Sequence, residues 1–97
     1  MSKILTDNQR RYQRNPGINE TPVEDDMFLI AAGSGDIYHL DPMALSIWRA
    51  LDEPASAVDL SALFQDAFPG TSAANIDRDL TAALTILLNG GLIKLND

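Results

Sequence analysis

Few residues of this sequence are suited to chemistry, and they do not form a catalytic set. The chain has one histidine, His39, and no cysteine, which excludes disulfides, thiolate zinc sites and a cysteine nucleophile. The 14 acidic residues fall mostly in predicted turns and helix caps, without the spacing of a calcium loop. Catalysis needs a nucleophile beside an oriented base, or carboxylates in contrasting environments. We therefore predict no catalytic residue, no metal site and no cofactor.

Two isolated features each have a functional and an ordinary interpretation. His39 is either a pH-sensitive contact for an acidic residue of a partner or a strand residue with no special role. The run Glu24-Asp25-Asp26 is either a docking patch for a basic segment or a solvated turn. The ordinary interpretation is the commoner one for both kinds of feature, so neither defines a site.

Charge is divided unevenly along the chain. Residues 1–15 carry 4 basic residues and 1 acidic residue, a net charge of +3. Residues 16–97 carry 3 basic and 13 acidic residues, a net charge of −10, which gives −7 for the whole chain. A body this acidic is poorly suited to nucleic acid or to an anionic membrane, because affinity for both depends on neutralising negative charge. A peptide or protein of basic character is the favoured partner.

Length and composition fit one small domain. The chain has 97 residues, and its longest apolar run, residues 27–32, is far shorter than a membrane span. No secretory signal opens the sequence, and with the lack of cysteine this predicts a cytoplasmic protein. We place a flexible basic tail at residues 1–15, where apolar residues are few, and a folded domain at residues 16–97.

The first half of the domain has the pattern of strands. Residues 18–23 are a weak candidate, because a proline such as Pro22 is confined to edge strands and strand ends. Residues 27–32 form a short apolar run, and residues 36–40 follow after the turn Gly33-Ser34-Gly35. The pattern predicts three antiparallel strands.

The second half has the pattern of three helices. Apolar residues recur there at helical spacing in three segments. The start signals of these segments are Asp41-Pro42, Ser56 in a variant of the capping box, and Thr71 or Ser72. Gly90-Gly91 ends the third helix, and a short strand or extended tail follows. The order of elements predicts an α+β fold of the winged helix-turn-helix type, with a three-stranded antiparallel sheet followed by three helices.

An ordered set of short motifs from residue 15 to residue 93 resembles the PqqD family. These are small winged-helix domains, also called precursor peptide recognition elements of ribosomally synthesised, modified peptides. The matching segments are Pro16-Gly17-Ile18, residues 35–41 (GDIYHLD), Ala44-Leu45-Ser46-Ile47-Trp48, Val58-Asp59-Leu60, residues 76–80 (IDRDL) and residues 87–93 (LLNGGLI). The sequence departs from the family at Asp41, where Asn is usual, and at Asp52-Glu53-Pro54, where quinone-pathway members often have Cys-Asp-Gly. The departures point to a different peptide pathway.

The resemblance implies a non-catalytic peptide-binding adaptor. Domains of this family bind the leader of a precursor peptide, which adds as a strand to a sheet edge and packs against the third helix. The domain presents the peptide to a modifying enzyme, such as a radical SAM enzyme, a cyclase or a leader protease. In this sequence the implied edge strand consists of Asp36, Ile37, Tyr38, His39 and Leu40. We expect Tyr38 and Leu40 to be at least partly buried, and only one of Ile37 and His39 to direct its N–H to the peptide.

The third helix supplies the other half of the implied site. We assign to it Arg78, Thr81, Thr85 and Leu88. Leu88 and Ile86 lie on opposite flanks of the apolar face of this helix, and either one extends the apolar surface past the core or belongs to a wide core stripe. The flank that lines the groove stays open at this point.

A winged-helix DNA-binding regulator is the alternative function, because it shares the order of elements. Its recognition helix would have to enter the major groove. The third helix has a single basic residue, Arg78, between Asp77 and Asp79, so its face is negative. An unpaired edge strand also pairs readily with its own copy, which makes a homodimer an alternative partner.

Overall fold

The computed structural model describes residues 10–31 and 33–96. Nine elements follow one another along these residues. They are β1 (Arg11–Arg14), β2 (Ile18–Val23), β3 (Asp26–Ala31), β4 (Ile37–Leu40), α1 (Pro42–Ala50), β5 (Ala55–Ser56), α2 (Ala57–Ala67), α3 (Ala73–Asn89) and β6 (Ile93–Asn96). The predicted α+β fold, a three-stranded antiparallel sheet followed by three helices, is confirmed.

Strands β2, β3 and β4 form the predicted antiparallel sheet in that order. A two-residue turn joins β2 to β3, with Val23 opposite Asp26. Glu24 opens this turn with a φ of 58°, the positive value that tight hairpin turns require. The run Glu24-Asp25-Asp26 is therefore the hairpin turn and the first residue of β3, and all three residues are exposed.

A second sheet, which the sequence analysis missed, has the order β5-β1-β6. Its central strand β1 lies inside the segment predicted as a flexible tail, so that prediction is wrong for residues 11–14; residues 1–9 lie outside the described residues. Strand β1 pairs with β6 from Arg11–Asn96 to Arg14–Ile93. Its partner residues lie 79 to 85 positions away in β6 and 43 to 45 positions away in β5, so no local pattern reveals the pairing.

Each helix begins at a predicted cap. The Asp41 carboxylate accepts the N–H of Ala44 at 2.8 Å, and Pro42 occupies the first helical position of α1. Ser56 and Asp59 form a full capping box at α2. For α3 the cap is Ser72, the second of the two candidates.

The core lies between the β2–β3–β4 sheet and the three helices. Its fully buried large side chains are Leu29, Ile47, Leu51, Leu60, Ile76, Leu87, Leu92 and Ile93. Within the described residues, no helix is long and apolar enough to cross a membrane.

Candidate functional site

Strand β4 forms one edge of the β2–β3–β4 sheet. Within residues 10–31 and 33–96 it pairs only with β3, from Met27–Leu40 to Ile30–Ile37. An edge strand presents backbone N–H and C=O groups that another extended chain can bind.

The hydrogen bonds beside the β3–β4 turn establish which residues of β4 direct their backbone N–H and C=O groups away from β3. The Ala31 N–H donates to the Asp36 carbonyl at 2.9 Å, so Ala31 and Asp36 form a hydrogen-bonded pair of the antiparallel ladder. Hydrogen-bonded and non-bonded pairs alternate in an antiparallel ladder, so Tyr38 and Leu40 bond to β3. Ile37 and His39 both direct their N–H and C=O groups away from the sheet. The expectation that only one of these two residues faces a partner is wrong, because residues two apart in a strand point the same way.

The side chains of β4 alternate as well. Leu40 is buried and Tyr38 is half-buried, as expected, whereas Ile37 and His39 are exposed on the outer face of the sheet. The Tyr38 ring packs on the end of α3 at Gly90, where a Cβ would lie only 3.1 Å from Tyr38 Cε1. A side chain at position 90 would therefore require the Tyr38 ring to shift by a few tenths of an ångström, and this contact sets β4 beside α3.

A cavity of about 160 Å³ opens between β4 and α3, and we call it the edge groove. Its lining residues are Tyr38, His39, Leu40, Asp41, Ala44, Ala83, Ile86, Leu87 and Leu92. The floor is apolar and buried, at Leu87 and Leu92, while Ile86 stands at the rim with 65% of its surface exposed. An extended peptide beside β4 would lay its inward side chains into this groove.

The four residues assigned to the third helix do not line the edge groove. Thr81 lines a different cavity, between α2 and α3, and Leu88 is half-buried against the core. Thr85 is exposed and donates its hydroxyl to the Thr81 carbonyl at 2.9 Å. Arg78 is exposed and contacts Asp79 at 3.7 Å. A role of these four residues in peptide binding stays a prediction, and it competes with a site on the Ile86 flank of α3.

The two flanks of α3, which the helical pattern left equivalent, are now distinguishable. Ile86 and Ala83 face β4, and Thr81 faces α2. The packing of α2 against α3 decides this, and nothing in the spacing of the apolar residues of α3 reports it. The sequence therefore held no signal for the flank, and the structure supplies it by leaving Ile86 65% exposed and Leu88 half-buried.

Comparison with known families identifies the chain. The family model described as "Coenzyme PQQ synthesis protein D (PqqD)" matches residues 26–93, which include β3, β4 and all three helices. The chain belongs to the PqqD family. Both walls of the edge groove, β4 and α3, lie within the matched PqqD segment. No curated protein sequence matches the chain.

Two solved structures share the architecture of this PqqD domain. One is described as "TbiB1 in Complex with the TbiA(beta) Leader Peptide"; it has 20% sequence identity and a TM-score of 0.74, and the match covers 84% of this chain and 94% of that chain. The other is "Lasso peptide synthetase B1 complexed with the leader peptide", with 25% identity, a TM-score of 0.69, and coverage of 86% and 96%. Both therefore have the fold over nearly their whole length.

His39 and Asp26 of this PqqD domain form a polar contact on the outer face of the sheet. His39 Nε2 lies 3.1 Å from Asp26 Oδ1, and the His39 ring lies against Phe28 with ring centroids 5.1 Å apart. Both side chains of this contact are more than half exposed. Among the described residues no group of three or more His, Cys, Asp or Glu side chains is placed to hold a metal ion.

Proposed function

We propose that this PqqD-family domain is a non-catalytic adaptor that binds the leader of a ribosomally synthesised precursor peptide and presents it to a modifying enzyme. The leader adds as a strand to β4 and lays alternate side chains into the edge groove. The observation that carries this proposal is the open edge of β4, with the outward N–H and C=O groups of Ile37 and His39, directly beside an apolar cavity.

Two further observations support the proposal. The structures that share this fold were solved with leader peptides bound. The exposed Ile86 at the groove rim is an apolar contact that the core does not use. Backbone bonds to β4 would give affinity, and the groove would give specificity.

The chemistry of the modification belongs to a separate enzyme in this proposal. The one histidine is placed beside Asp26 on the outer face of the sheet, and there is no cysteine. The enzyme that receives the peptide is a radical SAM enzyme, a cyclase or a leader protease. The DNA-binding alternative has no support, because α3 carries Asp77 and Asp79 around its one basic residue.

The test is a titration of the full chain with fluorescent leader segments of candidate precursor peptides from the same genome. The matched variants are Ile86→Ala and Leu88→Ala, which truncate one large apolar residue on each flank of α3. We expect Ile86→Ala to weaken binding by about fivefold, since roughly 1 kcal/mol of apolar contact is lost. Leu88→Ala should lower stability rather than affinity, because Leu88 packs against the core.

Two results would overturn the proposal. One is saturable binding that Ile86→Ala leaves unchanged and Leu88→Ala weakens in a folded protein, which places the peptide on the other flank. The other is the absence of binding together with a dimer held through β4, measured by light scattering, which assigns the edge to a second copy of the chain.

A further inference from the structure

The edge groove does not end with β4. A second cavity of about 350 Å³ shares Asp41, Ala83 and Ile86 with it and reaches Asp79. We call it the acidic cavity, because Asp41 and Asp79 are its charged residues. It extends the groove along α3 toward the N-terminus of that helix.

A third cavity continues from the acidic cavity in the same direction. It has a volume of about 260 Å³, shares Met43 and Asp79 with the acidic cavity, and is bounded by Phe68 and Ile76. We call it the distal cavity. Phe68 is 45% exposed at its rim, so this cavity offers an aromatic surface that the core leaves uncovered. The acidic cavity therefore lies between the edge groove, with which it shares Asp41, and the distal cavity, with which it shares Asp79.

The two carboxylates of the acidic cavity are only partly satisfied. Asp41 accepts one N–H, from Ala44, through its Oδ1 atom. Asp79 contacts Arg78 at 3.7 Å, with side chains 56% and 73% exposed, which is a loose surface pair. None of the described residues that line the three cavities is a lysine or an arginine. A cation in the acidic cavity is attracted by Asp41 and Asp79, and the exposed Arg78 beside Asp79 is the one positive charge that opposes it.

We propose that the groove selects a peptide in which a lysine or arginine lies between two apolar side chains. The cation contacts Asp41 and Asp79, one apolar side chain fills the edge groove, and the other fills the distal cavity. Inward side chains of a strand recur at every second residue, about 7 Å apart, and we assign successive inward side chains to successive cavities. This inference rests on the proposed strand addition to β4 and names the chemistry of the peptide.

The test begins with a library of random linear peptides, which is displayed on phage and selected on the immobilised full chain. Peptides that depend on β4 are those whose binding is lost in His39→Pro. Among them we expect enrichment of Lys or Arg with an apolar residue two positions to either side. A selected peptide is then synthesised in three forms, with Lys, Gln or Glu at the enriched position.

Charge-neutral variants then locate the cation. Asp79→Asn and Asp41→Asn should each weaken the Lys peptide by about threefold, since partly exposed ion pairs contribute at most about 1 kcal/mol. Asn at position 41 keeps the helix cap, so the fold is retained. Asp77→Asn is the matched control, because Asp77 is on the same helix but lines the cavity between α2 and α3. Arg78→Gln should act in the opposite direction, because it removes a competitor for Asp79.

The outcomes separate this inference from the proposed function. Peptides that depend on β4 but show no Lys or Arg enrichment, or an equal loss in Asp77→Asn and Asp79→Asn, overturn the inference and leave strand addition standing. Peptides that bind equally well to His39→Pro overturn both. Affinity of the Lys peptide that falls with added salt, with a smaller fall for the Gln form, supports the inference.

Discussion

The two edges of the β2–β3–β4 sheet differ in what they offer another chain. At β2 the outward backbone positions are Ile18, Glu20 and Pro22, because the hairpin places Val23 opposite Asp26 in a hydrogen-bonded pair. Pro22 has no N–H to donate. At β4 the outward positions, Ile37 and His39, both keep their donors. One edge is blunted and the other is open.

A side-chain cluster adds to the protection of the β2 edge. Glu20 accepts the indole N–H of Trp48 at 2.6 Å and pairs with Arg14 at 3.4 Å. Arg14 in turn donates to the Trp48 carbonyl at 2.6 and 3.0 Å and lies 4.5 Å from the centre of the Trp48 ring. A charged residue on an edge strand is a known barrier to strand pairing. A three-stranded sheet with two edges can thus leave a single edge suited to strand addition.

The largest expected effect comes from removing a donor at the open edge. His39→Pro deletes an outward N–H and fixes φ near −65°, so we expect leader affinity to fall at least about tenfold. Pro22→Ala, which adds a donor at the other edge, is the control and should leave affinity unchanged. Titration of labelled leader, after circular dichroism confirms folding, measures both. Equal affinity of folded His39→Pro and the wild-type chain would rule out strand addition at β4.

A smaller effect is expected from loosening the cluster that covers the β2 edge. Arg14→Ala removes two bonds to the Trp48 carbonyl, a ring contact and the pair with Glu20. We expect the free energy of unfolding to fall by about 1–2 kcal/mol, measured by urea denaturation. Arg49→Ala removes the same charge from an exposed position on α1 and should change stability by less than about 0.5 kcal/mol. If both variants lost similar free energies of unfolding, the loss in Arg14→Ala would come from the removed charge and not from the contacts of Arg14 with Trp48 and Glu20.

The smallest effect concerns the blunted edge itself. Pro22→Thr restores the missing donor and favours a strand residue at the β2 edge. We expect weak self-association at high protein concentration, seen by sedimentation, while leader binding at β4 stays intact. A strictly monomeric variant would show that the charge of Glu20 is sufficient protection without the proline.

Much of this architecture is predictable from local sequence signals. The caps at Asp41, Ser56 and Ser72 and the sheet of β2, β3 and β4 follow from short-range patterns. Strand β1 does not, because its stability depends on pairing with β6 at the other end of the chain and on Arg14 reaching Trp48. A basic segment with few apolar residues is predicted to be a flexible tail when those distant partners are not known.

The candidate site likewise has one part that the sequence predicts and one part that it does not. The edge strand is predictable from its pattern and its family motif, and the outward direction of Ile37 and His39 follows once the pairing register with β3 is known. The flank of α3 is not predictable, because Ile86 and Leu88 are symmetric about the apolar stripe. Packing of α2 on one side breaks that symmetry.

Site-resolved amide exchange in the free and leader-saturated protein tests the central claim most directly. In the free protein the amides of Ile37 and His39 should exchange fast, while those of Tyr38 and Leu40 are already bonded to β3. We expect the leader to protect Ile37 and His39 strongly and to leave Ile18 and Glu20 at the β2 edge unchanged. Saturation with leader that leaves Ile37 and His39 unprotected, or that protects Ile18 and Glu20 instead, would contradict binding at the open edge of β4.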